Sequence, residues 1–396
     1  MSFKNHESLL QHNMKTLFRY VLATSFRPYY VVLVLYFAHV LHSYALAGSL
    51  LAMLPISQAF FEVPTGIISD KIGRVFSIKL SVALEIAALL IYTLLPHYWM
   101  LALGSIILGS TFALTSGNND ALIYDSARNA GKHTSFHSYY SKINIALEVS
   151  GFVAAILAGF LAARSFALVM WVSIVPQLVG YILAAQLIEP ERVSKVTENI
   201  FTHFKGIIRT YKANVRLRAL SLASILGGGV GGAKWNMQPA YYSQYVPISL
   251  VGVFVSCNYL WSTVGFYTSD WFMKRFKPIN ILLTSEIYTR VMSILALGLS
   301  TIAAPITMAL SAITYGPQDT AMQHLLHEDF TDTQRATMAS LNSLLTSLVY
   351  GLFLVITGYV ADKHGLIAAL VLCNIFLLPV IFIYRGVFKS SRNNIR

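Results

Sequence analysis

Long apolar stretches separated by short polar segments run along almost the whole chain, without strict alternation of apolar and polar positions. A membrane-spanning strand needs about 10 alternating residues, whereas a spanning helix needs about 20 predominantly apolar ones. The pattern therefore predicts helices, at roughly 17–41, 44–68, 77–95, 99–124, 137–163, 166–188, 217–245, 249–271, 279–297, 301–325, 337–361 and 366–386. One long polar stretch, 189–216, interrupts them near the middle and predicts a solvated linker with an amphipathic helix on the membrane surface. The expected organisation is an N-terminal six-helix bundle over 1–188, a cytoplasmic linker over 189–216 and a C-terminal six-helix bundle over 217–396.

Composition agrees. Of 396 residues, 56% are hydrophobic and 12% charged, about half the charged fraction of a soluble domain. The fold class expected is an all-α integral membrane protein with twelve transmembrane helices. A net charge of +12 would suggest nucleic acid for a soluble protein. Here it reads as Lys and Arg held on the cytoplasmic side. With the N-terminus inside, only Arg164 and Lys363 fall in external loops. Both termini are thus expected in the cytoplasm, with the chain in the cytoplasmic (inner) membrane and no nucleic-acid partner. Residues 1–16 are polar and lead into a long apolar run, so they read as a retained cytoplasmic tail rather than a signal peptide. Cys257 and Cys373 both lie inside apolar runs and form no framework or metal motif.

The halves repeat. Gly117-Asn118-Asn119-Asp120 matches Gly316-Pro317-Gln318-Asp319, and residues 158–162 match 357–361, both at an offset of 199. Asp70 and Arg74 match Asp270 and Lys274. Two six-helix halves of one orientation imply parallel repeats about an axis along the membrane normal, giving two pseudo-symmetric six-helix bundles.

After the second span the chain reads Glu62-Val63-Pro64-Thr65-Gly66-Ile67-Ile68-Ser69-Asp70-Lys71-Ile72-Gly73-Arg74. Gly73 permits a tight turn, Asp70 can cap a helix N-terminus, and Arg74 can form a bidentate pair with a carboxylate. This segment resembles the Gly-x-x-x-Asp-Arg/Lys-x-Gly-Arg/Lys signature of the major facilitator superfamily, and the likeness in length, spans, linker and repeat extends over essentially the whole chain. The resemblance implies a twelve-helix secondary transporter. It also implies a cytoplasmic conformational latch of Gly66, Asp70, Lys71, Gly73 and Arg74, in which Asp70 caps the eleventh span and Arg74 pairs with Asp125. In the second-half copy Met273 replaces the turn glycine. The fourth-span arginine and the fifth-span Gly-Pro run of the family's drug–proton antiporters are missing here.

Ionisable residues inside a bilayer are costly and face a cavity or a partner. Arg27, Glu148 and Lys234 lie about midway along their spans, while Glu62, Asp120, Lys142 and Asp319 lie nearer the cytoplasmic ends. By the resemblance, spans one, four, seven and ten line the central cavity. Arg27 and Tyr30, together with Lys234, Trp235, Asn236 and Gln238, are then candidates for binding an anionic or carboxylate-bearing substrate. The open alternative is that Arg27 and Lys234 pair with Glu148 or with carbonyls and serve structure alone. Glu148 is the first proton-coupling candidate, with Glu62 and Asp120 behind it. Glu62, Asp120 and Lys142 also suit the latch network. Glu286 and Arg290, four apart on one helix face, read as an internal pair. The run Gly227–Gly232 lacks the Lys-Ser/Thr of a phosphate loop and reads as a close-packing surface. His324 and His327 read as a solvated helix end rather than a metal site.

These readings converge on a secondary active transporter, a monomer with no cofactor, metal or enzymatic activity, working by alternating access. Its expected partners are a small-molecule substrate, protons or another coupling ion, and the lipid bilayer. Proton-coupled efflux of a small organic solute is the leading version. The alternatives are a facilitator or proton-linked importer of a carboxylate-type metabolite or metal chelate, and a non-transporting membrane sensor.

Overall fold

The computed structural model describes residues 3–116, 118–129, 136–190, 214–328 and 332–393. Helices account for nearly all of them, and no strand occurs among the described residues. In chain order they are α1 (Phe3–Thr24), α2 (Pro28–Leu41), α3 (Tyr44–Lys71), α4 (Arg74–Leu94), α5 (Tyr98–Thr115), α6 (Asn118–Asn129), α7 (Phe136–Ala162) and α8 (Phe166–Ala185). After the linker come α9 (Val215–Tyr242), α10 (Ile248–Arg275), α11 (Pro278–Gly298), α12 (Ala303–Leu310), a 3-10 turn (Ser311–Thr314), α13 (Tyr315–Glu328) and α14 (Asp332–Asn393).

Nine stretches among the described residues are long and apolar enough to cross a membrane. Two of the expected spans merge in one of them, because α14 runs on through a break at Gly365, where φ is 85°. The two expected spans left outside these stretches are α9, diluted by glycines and Lys234, and the interrupted run from α12 to α13. Twelve crossings are consistent with this arrangement. Apolar side chains such as Trp171, Val175, Leu178, Val179 and Ile182 of α8 are exposed, which suits lipid as the surrounding solvent.

Three expected spans are not single helices. The first is broken at 25–27, where Pro28 cannot donate a backbone hydrogen bond. The fourth divides into α5 and α6 around Ser116, where small and polar residues replace the apolar run. The tenth tightens into 3-10 geometry at Ser311–Thr314. The expected surface helix of the linker lies mostly at 191–213, outside the described residues. The polar segment before the first apolar run is not a separate tail. From Phe3 onward it is continuous with the start of that run in α1, and Leu10, Met14 and Leu17 pack with Ile78, Leu122 and Ala146 in a buried cluster.

Backbone contacts divide the chain into two units. One comprises 1–42, 53–195 and 248–256, the other 43–52, 196–247 and 257–396. In each, a glycine pair lets two helices approach at backbone distance. In the first unit a Cβ on Gly159 would stand 2.6 Å from the Ser249 carbonyl oxygen. In the second a Cβ on Gly358 would stand 2.2 Å from that of Tyr44. Gly159 and Gly358 are the glycines matched by the internal repeat, so the repeat preserves a packing requirement. Beside the second crossing, the Asp362 carboxylate accepts from the Ser43 hydroxyl and from the backbone N–H groups of Tyr44 (2.6 Å) and Ala45 (2.9 Å), capping α3.

Candidate functional site

In the first unit the break between α1 and α2 is the centre of a buried polar site. An interrupted helix leaves backbone groups without intrahelical partners, and α8 supplies them. Gln177 donates to the Thr24 carbonyl at 3.1 Å, and the Ser173 hydroxyl accepts from the Tyr29 N–H at 3.1 Å. Arg27 stands at the break and reaches α4, where its Nε and Nη2 donate to the two oxygens of Glu85, each at 2.7 Å. The Tyr29 hydroxyl donates to the same carboxylate at 2.9 Å. The guanidinium carbon lies 5.4 Å from the Phe112 ring centroid, and Tyr30 meets that ring edge-on. A planar guanidinium held by a bidentate carboxylate and an aromatic face is fixed in position and largely neutralised. The partner of Arg27 is therefore Glu85, not Glu148 or a carbonyl, and the substrate-binding expectation for Arg27 meets a cation already engaged.

The second unit carries a different arrangement. Lys234, on α9, is buried with only 4% of its surface exposed, and its ammonium has no hydrogen bond or ion pair among the described residues. Arg290, Cys373 and Glu286 are its electrostatic neighbours. Glu286 and Arg290 form the expected pair on α11, with Nε and Oε1 3.1 Å apart but not aligned as a hydrogen bond. Arg290 instead donates through Nη1 to Asn374 (2.9 Å), while Gln318 donates to the other Glu286 oxygen (3.1 Å). Asn374 also donates to Ser293 and to the Leu370 carbonyl. Arg290 and Glu286 thus have partners on three helices, and Lys234 is left as a cation without a bound counter-charge. Around it, Trp235 meets Tyr259 edge-on, Asn236 donates to the Tyr350 hydroxyl, and Gln238 accepts from Tyr242. Within the glycine run, Gly228, Gly229 and Gly232 pack against Thr346, Val349 and Tyr350, whereas Gly227 and Gly231 have open space.

Glu148 lies half-buried on α7, without a hydrogen bond or charged partner among the described residues. Glu62 is half-buried on α3. Asp120 belongs to α6, but its side chain lies outside the described ones, as does Gly117. No group of metal-ligating side chains occurs among the described residues.

At the α3–α4 turn Gly73 has φ 144°, a region that L side chains rarely adopt. Asp70 and Lys71 are exposed beside it, and nothing lies within 4 Å of a Cβ on Gly66. Arg74 donates through Nη1 to Asp125 and to the Ala121 carbonyl, so the expected pairing with Asp125 is present. The expected cap of the eleventh span by Asp70 falls where the side chains of 332–340 lie outside the described ones. Replacing Gly73 with alanine is expected to cost about 1–3 kcal/mol of stability through backbone strain, read as a lowered midpoint of thermal unfolding.

A family model described as Major Facilitator Superfamily matches residues 17–349. The chain belongs to the Major Facilitator Superfamily. No curated protein sequence matches it. Among solved structures it is similar to the nucleoside transporter NupG, with a TM-score of 0.72 at 15% identity over 98% of this chain and 100% of that one. It is similar to a bacterial homologue of the human lysosomal transporter Spinster, in an inward-facing and unoccupied conformation, with a TM-score of 0.76 at 16% identity over 98% of both chains. The E. coli fucose:proton symporter FucP gives a TM-score of 0.61 at 14% identity, over 98% of this chain and 99% of that one. At such identities the likeness concerns the fold, which is that of a multi-pass membrane transporter and not of an enzyme.

Two residues that organise this site and the α3–α4 turn are absent from the sequence expectations. Glu85 is a lone acid in the third span, and a lone membrane carboxylate needs a partner; that was its only signal. Glu189 comes just after the sixth span and accepts from the N–H groups of Arg74 (2.9 Å) and Val75 (2.8 Å), capping α4 where Gly73 has no side chain to do so. Reading Glu189 as the first residue of a solvated linker concealed that role.

Proposed function

We propose that this protein is a secondary active transporter that moves a small organic solute across the cytoplasmic membrane by alternating access, exporting it in exchange for protons. The observation that carries the reading is Lys234, a buried cation in the seventh span that lacks a hydrogen bond or ion pair among the described residues. A buried charge with no directly bonded partner is costly, and a solute carboxylate would supply that direct contact beyond the electrostatic influence of Glu286. Tyr30, Trp235, Asn236 and Gln238 are the proposed polar and aromatic contacts of the solute, and Arg27 is a fixed cation beside the first-unit contacts. Glu148 is the proposed proton-coupling carboxylate, since it has no partner among the described residues to hold it ionised, with Glu62 and Asp120 as further candidates. Gly66, Asp70, Lys71, Gly73, Arg74 and Asp125 form the proposed conformational latch.

Proton-linked import of a carboxylate-type metabolite or metal chelate is the second reading, favoured by the same lysine, because a membrane-embedded cation suits an anion moving in either direction. The test is a stabilisation screen of small organic acids against their amides, followed by counterflow of the best acid in proteoliposomes. Lys234→Met is expected to lose at least about tenfold in affinity for the acid, the loss of one charge-assisted contact of about 1.5–3 kcal/mol. Unchanged affinity would remove Lys234 from binding. Glu148→Gln is expected to retain counterflow and lose accumulation against a gradient. A variant that still accumulates solute would remove Glu148 from coupling.

A further inference from the structure

The proposed role of Lys234 uses its charge but not the count of charges around it. Lys234, Glu286 and Arg290 are 4%, 3% and 7% exposed, and both α11 residues are electrostatic neighbours of Lys234. The other such neighbour is the Cys373 thiol on α14. Asp319, on α13, is not among them, and α12 carries no ionisable side chain. Among the described residues the buried cluster therefore holds two cations against one carboxylate. Buried ions are tolerated when their charges balance, and here one positive charge is left for a further partner.

The geometry keeps that surplus available. Glu286 and Arg290 do not close on each other, since Glu286 Oε1 and Arg290 Nε are buried and neither makes a hydrogen bond. Uncharged groups hold the pair from outside, Gln318 on Glu286 at 3.1 Å and Asn374 on Arg290 at 2.9 Å. The charge of Glu286 is thus shared between Arg290 and Lys234. The first unit is built otherwise. Glu85 lies within two positions of the place that the repeat assigns to Glu286, and Arg27 pairs with both of its oxygens, so the charges of that pair cancel. On α9, Gly227, Gly231 and Lys234 share a helix face, and nothing lies within 4 Å of a Cβ on either glycine. A small solute can therefore approach along the face that carries the lysine.

We propose that this cluster selects solutes carrying a single negative charge, and that Glu286 is the specificity-determining residue that sets the limit. The inference deepens the reading of Lys234 as a solute contact and rests on it. One carboxylate brings the cluster to balance. A second would leave it with excess negative charge and would meet Glu286 as a like charge. Hydroxyl, amide or apolar groups elsewhere on the solute leave the balance unchanged.

The test is thermal stabilisation of the full-length protein in neutral detergent by dicarboxylates from malonate to adipate, each beside its half-amide. The two share a skeleton and differ by one charge, since at about pH 8 every free carboxyl is ionised. Half-amides are expected to bind at least about tenfold more tightly than diacids. Glu286→Gln, with one carboxylate fewer in the cluster, is expected to reverse the order. Glu286→Gln/Arg290→Gln removes one charge of each sign and is expected to restore the preference for half-amides, which a merely structural role of Glu286 would not do. A wild-type preference for diacids, or a preference that Glu286→Gln leaves unchanged, would overturn the inference. Lys234→Met separates it from the reading beneath. Loss of both ligands there, with an unaltered preference in Glu286→Gln, strikes only the charge limit. Unaltered binding of both removes Lys234 from the site, and the inference falls with it. Absence of stabilisation by every acid overturns both. Should Glu286→Gln fail to fold, Asn374→Asp still accepts from Arg290 and adds a carboxylate to the cluster. At least about tenfold weaker binding of half-amides is expected there, and unchanged binding overturns the charge limit.

Discussion

Replacing Glu85 with alanine is expected to destabilise the protein by about 3–5 kcal/mol, the penalty for leaving one member of a buried ion pair without its partner. Glu85 is 2% exposed and takes both Arg27 nitrogens and the Tyr29 hydroxyl, so its loss strands three donors at once. The break between α1 and α2 would lose the anchor that ties it to α4. The measurement is the midpoint of thermal unfolding in detergent, with size-exclusion profiles as a check on integrity. The charge-neutral double variant Arg27→Gln/Glu85→Gln is expected to be more stable than either single variant, because two neutral amides can bond to each other. A double variant no better than the singles would mean that the two residues act independently and that the ion pair contributes little.

The second large effect concerns packing. Gly252→Ala places a methyl 1.9 Å from the Ala155 carbonyl oxygen and 2.8 Å from the Gly159 nitrogen. The obstacle is backbone on a neighbouring helix, so no rotamer change relieves it, and α10 must move away from α7. A cost of about 1–3 kcal/mol is expected, in the range of overpacked cores. Gly231→Ala is the control, because nothing lies within 4 Å of its Cβ and alanine favours a helix over glycine by about 1 kcal/mol. Equal melting midpoints for the two variants would show that the α7–α10 crossing is not at backbone contact.

Both predictions rest on features of different legibility. Small residues at 158–162 and 357–361 repeat at one offset, so the chain announced that something about them recurs. That each glycine faces a neighbouring backbone is a matter of helix rotation, which one-dimensional pattern does not give. Arg27 was conspicuous as a cation in an apolar run beside a proline. Its partner was not, because Glu85 lies 58 positions away and any acid in any span was a formal candidate. The Arg74–Asp125 pair was legible through a motif with defined spacing. The cap from Glu189 was not, since it reaches α4 from beyond the sixth span. Pro28 marked the weak point of the first span in the sequence, whereas the breaks in the fourth and tenth spans were hidden for a related reason. Apolar content shows where a chain can cross lipid, whereas helix continuity depends on neighbours such as Ser173 and Gln177 that satisfy freed backbone groups.

By itself the sequence determined the helical class, the lipid solvent, the repeated halves and the family. Each of these arises from the cost of unpaired backbone groups and charges in hydrocarbon, a cost counted residue by residue along the chain. Tertiary structure alone decided which charges are compensated. It paired Arg27 with Glu85 and tied Arg290 and Glu286 to Asn374 and Gln318. It left the Lys234 ammonium without a hydrogen bond or ion pair among the described residues, with Glu286 and Arg290 only as electrostatic neighbours. Compensation depends on distances of a few ångströms between residues far apart in sequence, and only the folded chain fixes those.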